Sequence, residues 1–147
     1  MHTIDLNADL GEGVTDDLGL LAVVTSANVA CGYHAGDEVI MRKVCHEAAA
    51  RGVVVGAQVS YDDREGFGRR HLDVDFETLV DQVAHQVALL DEIARACGTA
   101  VSYVKPHGAL YNRVVHDEEQ ASAVLTGSGE LTVLGLPGSV FLELAAG

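Results

Sequence analysis

The continuous apolar run Val53-Val54-Val55-Gly56-Ala57 constrains this chain more than any other feature. A strand with one wet face alternates in polarity, whereas a run without alternation belongs to a parallel sheet covered on both faces. Parallel strands cannot be joined by tight hairpins and require long crossovers, usually helices. The chain supplies them in order. Residues 3–7 read as a first strand, 26–31 as a second, 101–104 as a fourth and 131–136 as a fifth. Between them, residues 18–24 offer one or two helical turns. Asp37 caps a helix to about Arg51, in which Ile40, Met41, Val44, Cys45 and Ala48 recur at three and four residues and Gly52 marks the stop. Residues 75–97 carry a long apolar stripe (Phe76, Leu79, Val83, Val87, Leu90, Ala94), residues 117–125 form another helix, and Pro137-Gly138-Ser139 opens a last one at Val140.

This alternation predicts a single α/β domain over residues 1–147, with right-handed crossovers and no internal repeat or linker. Five strands suit an open doubly wound sheet and fall short of the roughly eight of an ordinary (β/α) barrel. The amphipathic pattern stops abruptly at Ala145-Ala146-Gly147, which leads us to expect a fold longer than this sequence.

Charge narrows the function. Nine Lys and Arg against 22 Asp and Glu leave a net charge of −13. Such a field repels nucleic acid and anionic membrane surfaces but spares a small substrate in a locally basic cleft. No apolar run approaches the roughly 18–20 residues of a spanning helix. The first residues lack the basic and apolar regions of a signal peptide, so a cytoplasmic location is expected. Cys31, Cys45 and Cys97, widely spaced and odd in number, fit reduced thiols.

Polar residues follow one strand end after another. Asn7, Asp9 and Glu12 follow the first, and Asn28, His34 and Asp37 surround the end of the second. Gln58, Ser60, Tyr61, Asp62 and Asp63 follow the third. The richest set, Lys105, His107, Tyr111 and Asn112, follows the fourth, where Pro106 should end the strand and Gly108 permits a sharp turn. In a parallel sheet these loops share one rim, where ligands bind. Asp9 with His34 and His107 is a donor set a divalent metal can use. Alternatively, Asp9 and His107 perform acid–base work while Lys105 stabilises negative charge, or Lys105 simply pairs with Asp9. Arg69 and Arg70, the one concentrated positive spot, suit an anion clamp or a solvated loop. No P-loop, dinucleotide fingerprint, zincin motif or nucleophile elbow is present.

Four ordered segments, Asp5–Glu12, Ala27–Asp37, Gly66–Arg70 and Val104–Asn112, closely resemble the LamB/YcsF family of lactam-utilisation proteins, assigned as the A subunit of prokaryotic 5-oxoprolinase. Leu134-Gly135-Leu136-Pro137-Gly138-Ser139 resembles the family's fifth-strand segment. The resemblance implies a distorted (β/α) barrel of the sugar-deacetylase type, incomplete here with about five β/α units. It also implies ATP-dependent opening of 5-oxo-L-proline to L-glutamate, with ATP and Mg2+ as co-substrate and two other subunits as partners. Placed on this pattern, Asp9, His34, Lys105 and His107 are the expected catalytic residues. Asn7, Glu12, Asn28, Ser60, Arg69, Arg70, Tyr111 and Asn112 are the expected substrate-binding ones. Many members carry His-Pro where this chain has Gln58-Val59, and a neutral amide is a poor transition-metal ligand, so no metal site is assigned. Two alternatives stand beside this reading. One is a metal-dependent hydrolase of the deacetylase-like barrel class. The other is a non-catalytic fragment that associates with a second copy through an open barrel edge.

Overall fold

The computed structural model describes all 147 residues. In chain order the elements are β1 (Asn7–Leu10), α1 (Asp17–Leu21), β2 (Ser26–Ala30), α2 (Glu38–Arg51), β3 (Val54–Val59), α3 (Phe76–Ala96), β4 (Val101–Pro106), α4 (Gly108–Arg113), α5 (Glu118–Ser128), β5 (Thr132–Val133) and α6 (Val140–Ala146). The helices begin where side chains can satisfy free backbone N–H groups. Asp37, Asp75, Asp117 and Ser139 accept from the amides of Ile40, Thr78, Gln120 and Leu142. Each such cap stabilises its helix by about 1 kcal/mol. No helix is long and apolar enough to cross a membrane.

All five strands are parallel, in the order β1-β2-β3-β4-β5. A doubly wound sheet reverses its strand order; this one never does. With right-handed crossovers, an unreversed order places the connecting helices on one face, as in a barrel. The sheet is therefore an open, barrel-type array rather than the doubly wound alternative. Its outer face carries Leu10, Ala27, Val29, Val55, Ala57, Val59 and Val104. All are buried in a core shared with Met41, Val44, Leu79, Val83, Leu90, Val124 and Phe141. Burying one such large side chain contributes roughly 1.5–3 kcal/mol.

The inner face is polar, which corrects the expectation from the apolar run. Val54 on that face is 42% exposed, and beyond it come Gly56 and Gln58. Gly56 faces Tyr103 in register, and a Cβ there would collide with the Tyr103 ring. The run reads as doubly covered because its inward positions are small, not because helices bury them.

One irregularity decides what the inner face carries. Val55 pairs with Val101, but Gly56 pairs with Tyr103, so Ser102 opposes no residue of β3. This β-bulge inverts the parity of the rest of β4. Beyond it, Tyr103 and Lys105 face inward while Val104 enters the core. Without it those positions would exchange faces.

Other boundaries differ from expectation. β1 begins at Asn7, so Asn7 and Asp9 lie within a strand rather than after it. β4 runs through Pro106; the Val59 carbonyl accepts from His107 N at 2.8 Å, so the position lacking a donor faces away from β3, toward the side where β5 has already ended. α4 forms where only a loop is expected, and β5 keeps two residues because Gly135, Pro137 and Gly138 break its extension.

Candidate functional site

Two connected groups of side chains occupy the inner face and its carboxyl rim. The first is built on strands. Asn28, fully buried on β2, donates from Nδ2 to Asn7 Oδ1 at 2.9 Å and to Asp9 Oδ1 at 3.1 Å. The Tyr103 hydroxyl donates to Asn28 Oδ1, which uses the remaining hydrogen-bonding side of the amide. Burial, and then the charges of Asp5 and Asp9, push the Tyr103 phenol up from its ordinary range, so it stays an O–H donor. Lys105 Nζ donates to Asp9 Oδ1 at 3.2 Å and stands 5.1 Å from the centre of the Tyr111 ring. Lys105 thus pairs with Asp9 and still presents a cation to the rim.

The second group is a pair of stacked imidazoles. His34, in the loop after β2, and His107, between β4 and α4, lie 3.7 Å apart, centroid to centroid, with 17° between their planes. His34 Nε2 is 2.8 Å from Glu12 Oε2, and His107 Nδ1 is 3.8 Å from the same oxygen. His107 Nδ1 also meets Gln58 Nε2 at 3.0 Å, while its Nε2 meets the Phe67 carbonyl at 2.9 Å. Burial, and then the adjacent His34 ring, hold His107 below the usual histidine range. His34 Nδ1 and Gln58 Oε1 are buried without a hydrogen-bond partner.

A tied loop covers the pair. The Asp63 carboxylate accepts from Gly66 N at 2.9 Å, Arg70 N at 3.2 Å and Arg70 Nε at 2.8 Å. These bonds hold its acid strength well above that of a free aspartate, the Arg70 contact dominating. Arg64 donates to the carbonyls of Gly32 and Gly36. The loop so fixed lays the Phe67 ring edge-on to His34 and His107, with centroids 5.3 and 5.6 Å away. Gly68 is required at the contact: a Cβ there would stand 2.8 Å from His34 Cβ and 2.9 Å from His107 Cδ2.

The structure brings Asn7, Asp9, Asn28, Lys105 and Tyr111 into one network and Glu12, His34 and His107 into the other. Ser60 is fully buried and donates to its neighbour's carbonyl, at Tyr61 O. Arg70 is spent on Asp63, whereas the Arg69 guanidinium lies 5.2 Å from the centre of the Phe67 ring with no carboxylate partner. Asn112 is exposed on α4, beside Arg69. Tyr103 and Phe67 are additions to the expected set. In sequence Tyr103 looks like an ordinary strand aromatic, and nothing local signals that a backbone carbonyl at Phe67 will bind a histidine.

Glu12, His34 and His107 place three ligand atoms within 4.8 Å of one another, a cluster of the kind that can hold a metal ion. The carboxylate in it is Glu12, not Asp9. An imidazole binds metal along its in-plane lone pair, at about 2 Å. Two nearly parallel stacked rings direct those lone pairs along lines that do not converge on one ion. His107 Nδ1 is moreover occupied by Gln58. Both histidines therefore serve one ion only if a ring turns out of the stack.

Fold and site together define a β/α barrel-type protein with a histidine–carboxylate–lysine centre at the carboxyl rim of its sheet. The chain belongs to the LamB/YcsF family, whose model matches residues 4–147. It is 64% identical over 151 residues to the 5-oxoprolinase A subunit of Streptomyces avermitilis, covering 97% of this chain and 60% of that protein. It is 54% identical over 154 residues to the 5-oxoprolinase A subunit of Mycobacterium ulcerans, covering 99% and 61%. The crystal structure of a lactam utilization protein from Thermus thermophilus superposes with a TM-score of 0.94 at 36% identity, over 99% of this chain and 62% of that one. The chain thus spans about three fifths of the length of the relatives it matches.

Proposed function

We propose that this chain forms the lactam-binding and proton-transfer wall of a 5-oxoprolinase A subunit. The reaction is ATP-dependent opening of 5-oxo-L-proline to L-glutamate, carried out with two partner subunits. The observation that carries the proposal is the convergence of Asp9–Lys105 and Glu12–His34–His107 on one rim, in a chain this similar to proteins bearing that name. An unstrained lactam resists water because its C–N bond is conjugated. ATP, with Mg2+, serves as co-substrate and activates the carbonyl oxygen by phosphorylation.

The residues of this chain supply the rest. Lys105 places positive charge where oxygen anion develops, and Asp9 and the Tyr111 ring hold its ammonium there. His107 takes a proton from the attacking water, and Glu12 shares the positive charge that results. As the C–N bond breaks, His107 returns its proton to the ring nitrogen, which leaves as the amine. A second water hydrolyses the resulting acyl phosphate to glutamate and inorganic phosphate. Arg69, uncommitted at the mouth, binds the substrate carboxylate or the phosphoryl group.

The test is glutamate release from 5-oxoproline by the partner subunits with and without this chain, in the presence of ATP. ATP-dependent glutamate that requires the chain is expected; none from an assembled complex refutes the proposal. The three-ligand cluster favours, as a second reading, metal-dependent amide hydrolysis. Stoichiometric zinc in purified protein, together with ATP-independent turnover, would select it.

A further inference from the structure

We propose that Gln58 is a positioning residue for His107, fixing the ring so that Nε2 carries its proton and Nδ1, near Glu12, is the unprotonated nitrogen that accepts from the Gln58 amide. The functional side of this inference rests on the reading of His107 as the proton-transfer group. Its structural side follows from what each neighbour can donate.

The Phe67 carbonyl oxygen only accepts, so His107 Nε2, 2.9 Å away, must carry hydrogen. A second proton on Nδ1 would make a buried cation stacked 3.7 Å from another imidazole. Burial and that neighbour both oppose it. Nδ1 is therefore a lone pair, and only a donor can satisfy it. Gln58 Nε2 does so at 3.0 Å. The opposite amide orientation would set Oε1 against that lone pair, oxygen facing nitrogen with no hydrogen between.

The orientation has a cost that identifies what it is for. Gln58 is fully buried, and turning Nε2 to His107 leaves Oε1 without any donor. An orphaned buried acceptor is unfavourable. The amide is thus held by His107 rather than by its own best hydrogen bonding. The other anchor is strained as well. Phe67 has φ 55°, the one non-glycine residue in the left-handed region, and that backbone aims its carbonyl at Nε2. Two unfavourable local arrangements on opposite sides of one ring enforce the same tautomer. Nε2 is thereby committed to the Phe67 carbonyl, and Nδ1, 3.8 Å from Glu12, takes up a proton only as the Gln58 N–H releases it.

The tautomer itself is the readout, by long-range 1H–15N correlation of the His107 ring near neutral pH. Wild type is expected to show a protonated Nε2 and a pyridine-like Nδ1. Gln58→Glu sets a carboxylate against Nδ1 and draws a second proton, so both nitrogens should read as protonated. Gln58→Leu should move the Nδ1 resonance to that of an unbonded lone pair. In the assembled enzyme it should lower kcat for glutamate release about tenfold with KM little changed. A protonated Nδ1 with a bare Nε2 in wild type overturns the inference, as do identical His107 spectra in wild type and Gln58→Glu. If Gln58→Leu fails to fold, those two spectra decide. The expected spectra without any glutamate release would sustain the tautomer assignment and count against the reaction.

Discussion

Asp9 and Glu12 lie three residues apart in one motif yet serve different partners. Asp9, on β1, accepts from Asn28 and Lys105, while Glu12, in the loop beyond, engages His34. The Lys105–Asp9 pair is partly exposed, so its worth to stability is small. Lys105→Met should therefore lower kcat for glutamate release by about 10²-fold or more. Its thermal midpoint should fall by no more than about 4 °C. Activity and stability falling together, in proportion, would show the lysine to be structural. His107 carries a pH consequence. Its folded-state pKa lies below the unfolded value of about 6.5, so the unfolded chain takes the proton first. Its contribution to stability is complete above that value and is lost as pH falls through the folded-state pKa. Urea unfolding between about pH 7.5 and 5 should show a decline in wild type that is shallower in His107→Gln. Equal slopes would remove His107 as the source. At this scale the residue types are readable in the sequence and the pairings are not. His34 with a carboxylate is foreseeable, but which carboxylate depends on how two loops meet.

Elements divide into those with a local signature and those without. α2, α3 and α5 announce themselves through apolar spacing and capping aspartates. α4 has six residues, too few to show a period, and its sequence reads as loop. The β4 bulge has no signature at all, because Ser102 is unexceptional in Val101-Ser102-Tyr103. Deleting Ser102 removes the extra residue and lets Tyr103 follow Val101 directly opposite Gly56, so Tyr103 and Lys105 should stay inward, Val104 should stay in the core, and the chain should still fold. Ser102→Ala keeps the residue count and should change stability by about 0.5 kcal/mol or less. Thermal unfolding of the pair checks this, and a deletion variant that fails to fold would refute the parity account. The loop over the histidines depends on Asp63 as a backbone acceptor. Asp63→Ala should erase amide-exchange protection at Gly66 and Arg70 while α3 stays protected. In wild type the same protection should be lost in acid, since Asp63, with its pKa depressed, orders the loop until pH falls through that value. Protection unchanged in the variant would show that packing of Phe67 holds the loop instead.

Across the whole molecule, 22 acidic groups face nine basic ones, and the sheet ends in two strands paired on one side only. The open edges favour association, while a net charge of −13 opposes it between copies. Screening weakens only the second. Sedimentation should therefore find self-association rising with ionic strength. A monomer at every salt concentration would leave the edges without a role between copies of this chain. The same charge balance gives Arg69 its weight: it is a cation over the Phe67 ring with no carboxylate partner, whereas the adjacent Arg70 is committed to Asp63.

The sequence by itself determined the parallel β/α order, most helix boundaries and the rim on which polar residues gather. Each of these follows from neighbours within a few turns of chain, through periodicity, caps and breakers. Only the tertiary structure decided that Glu12 joins His34, that Lys105 faces Asp9 across 96 positions, and that Gln58 holds His107. Those contacts follow from strand register, where one extra residue at Ser102 exchanges the two faces of β4. Local chemistry carries no record of register, because it is set by which packing of the whole sheet buries the most apolar surface.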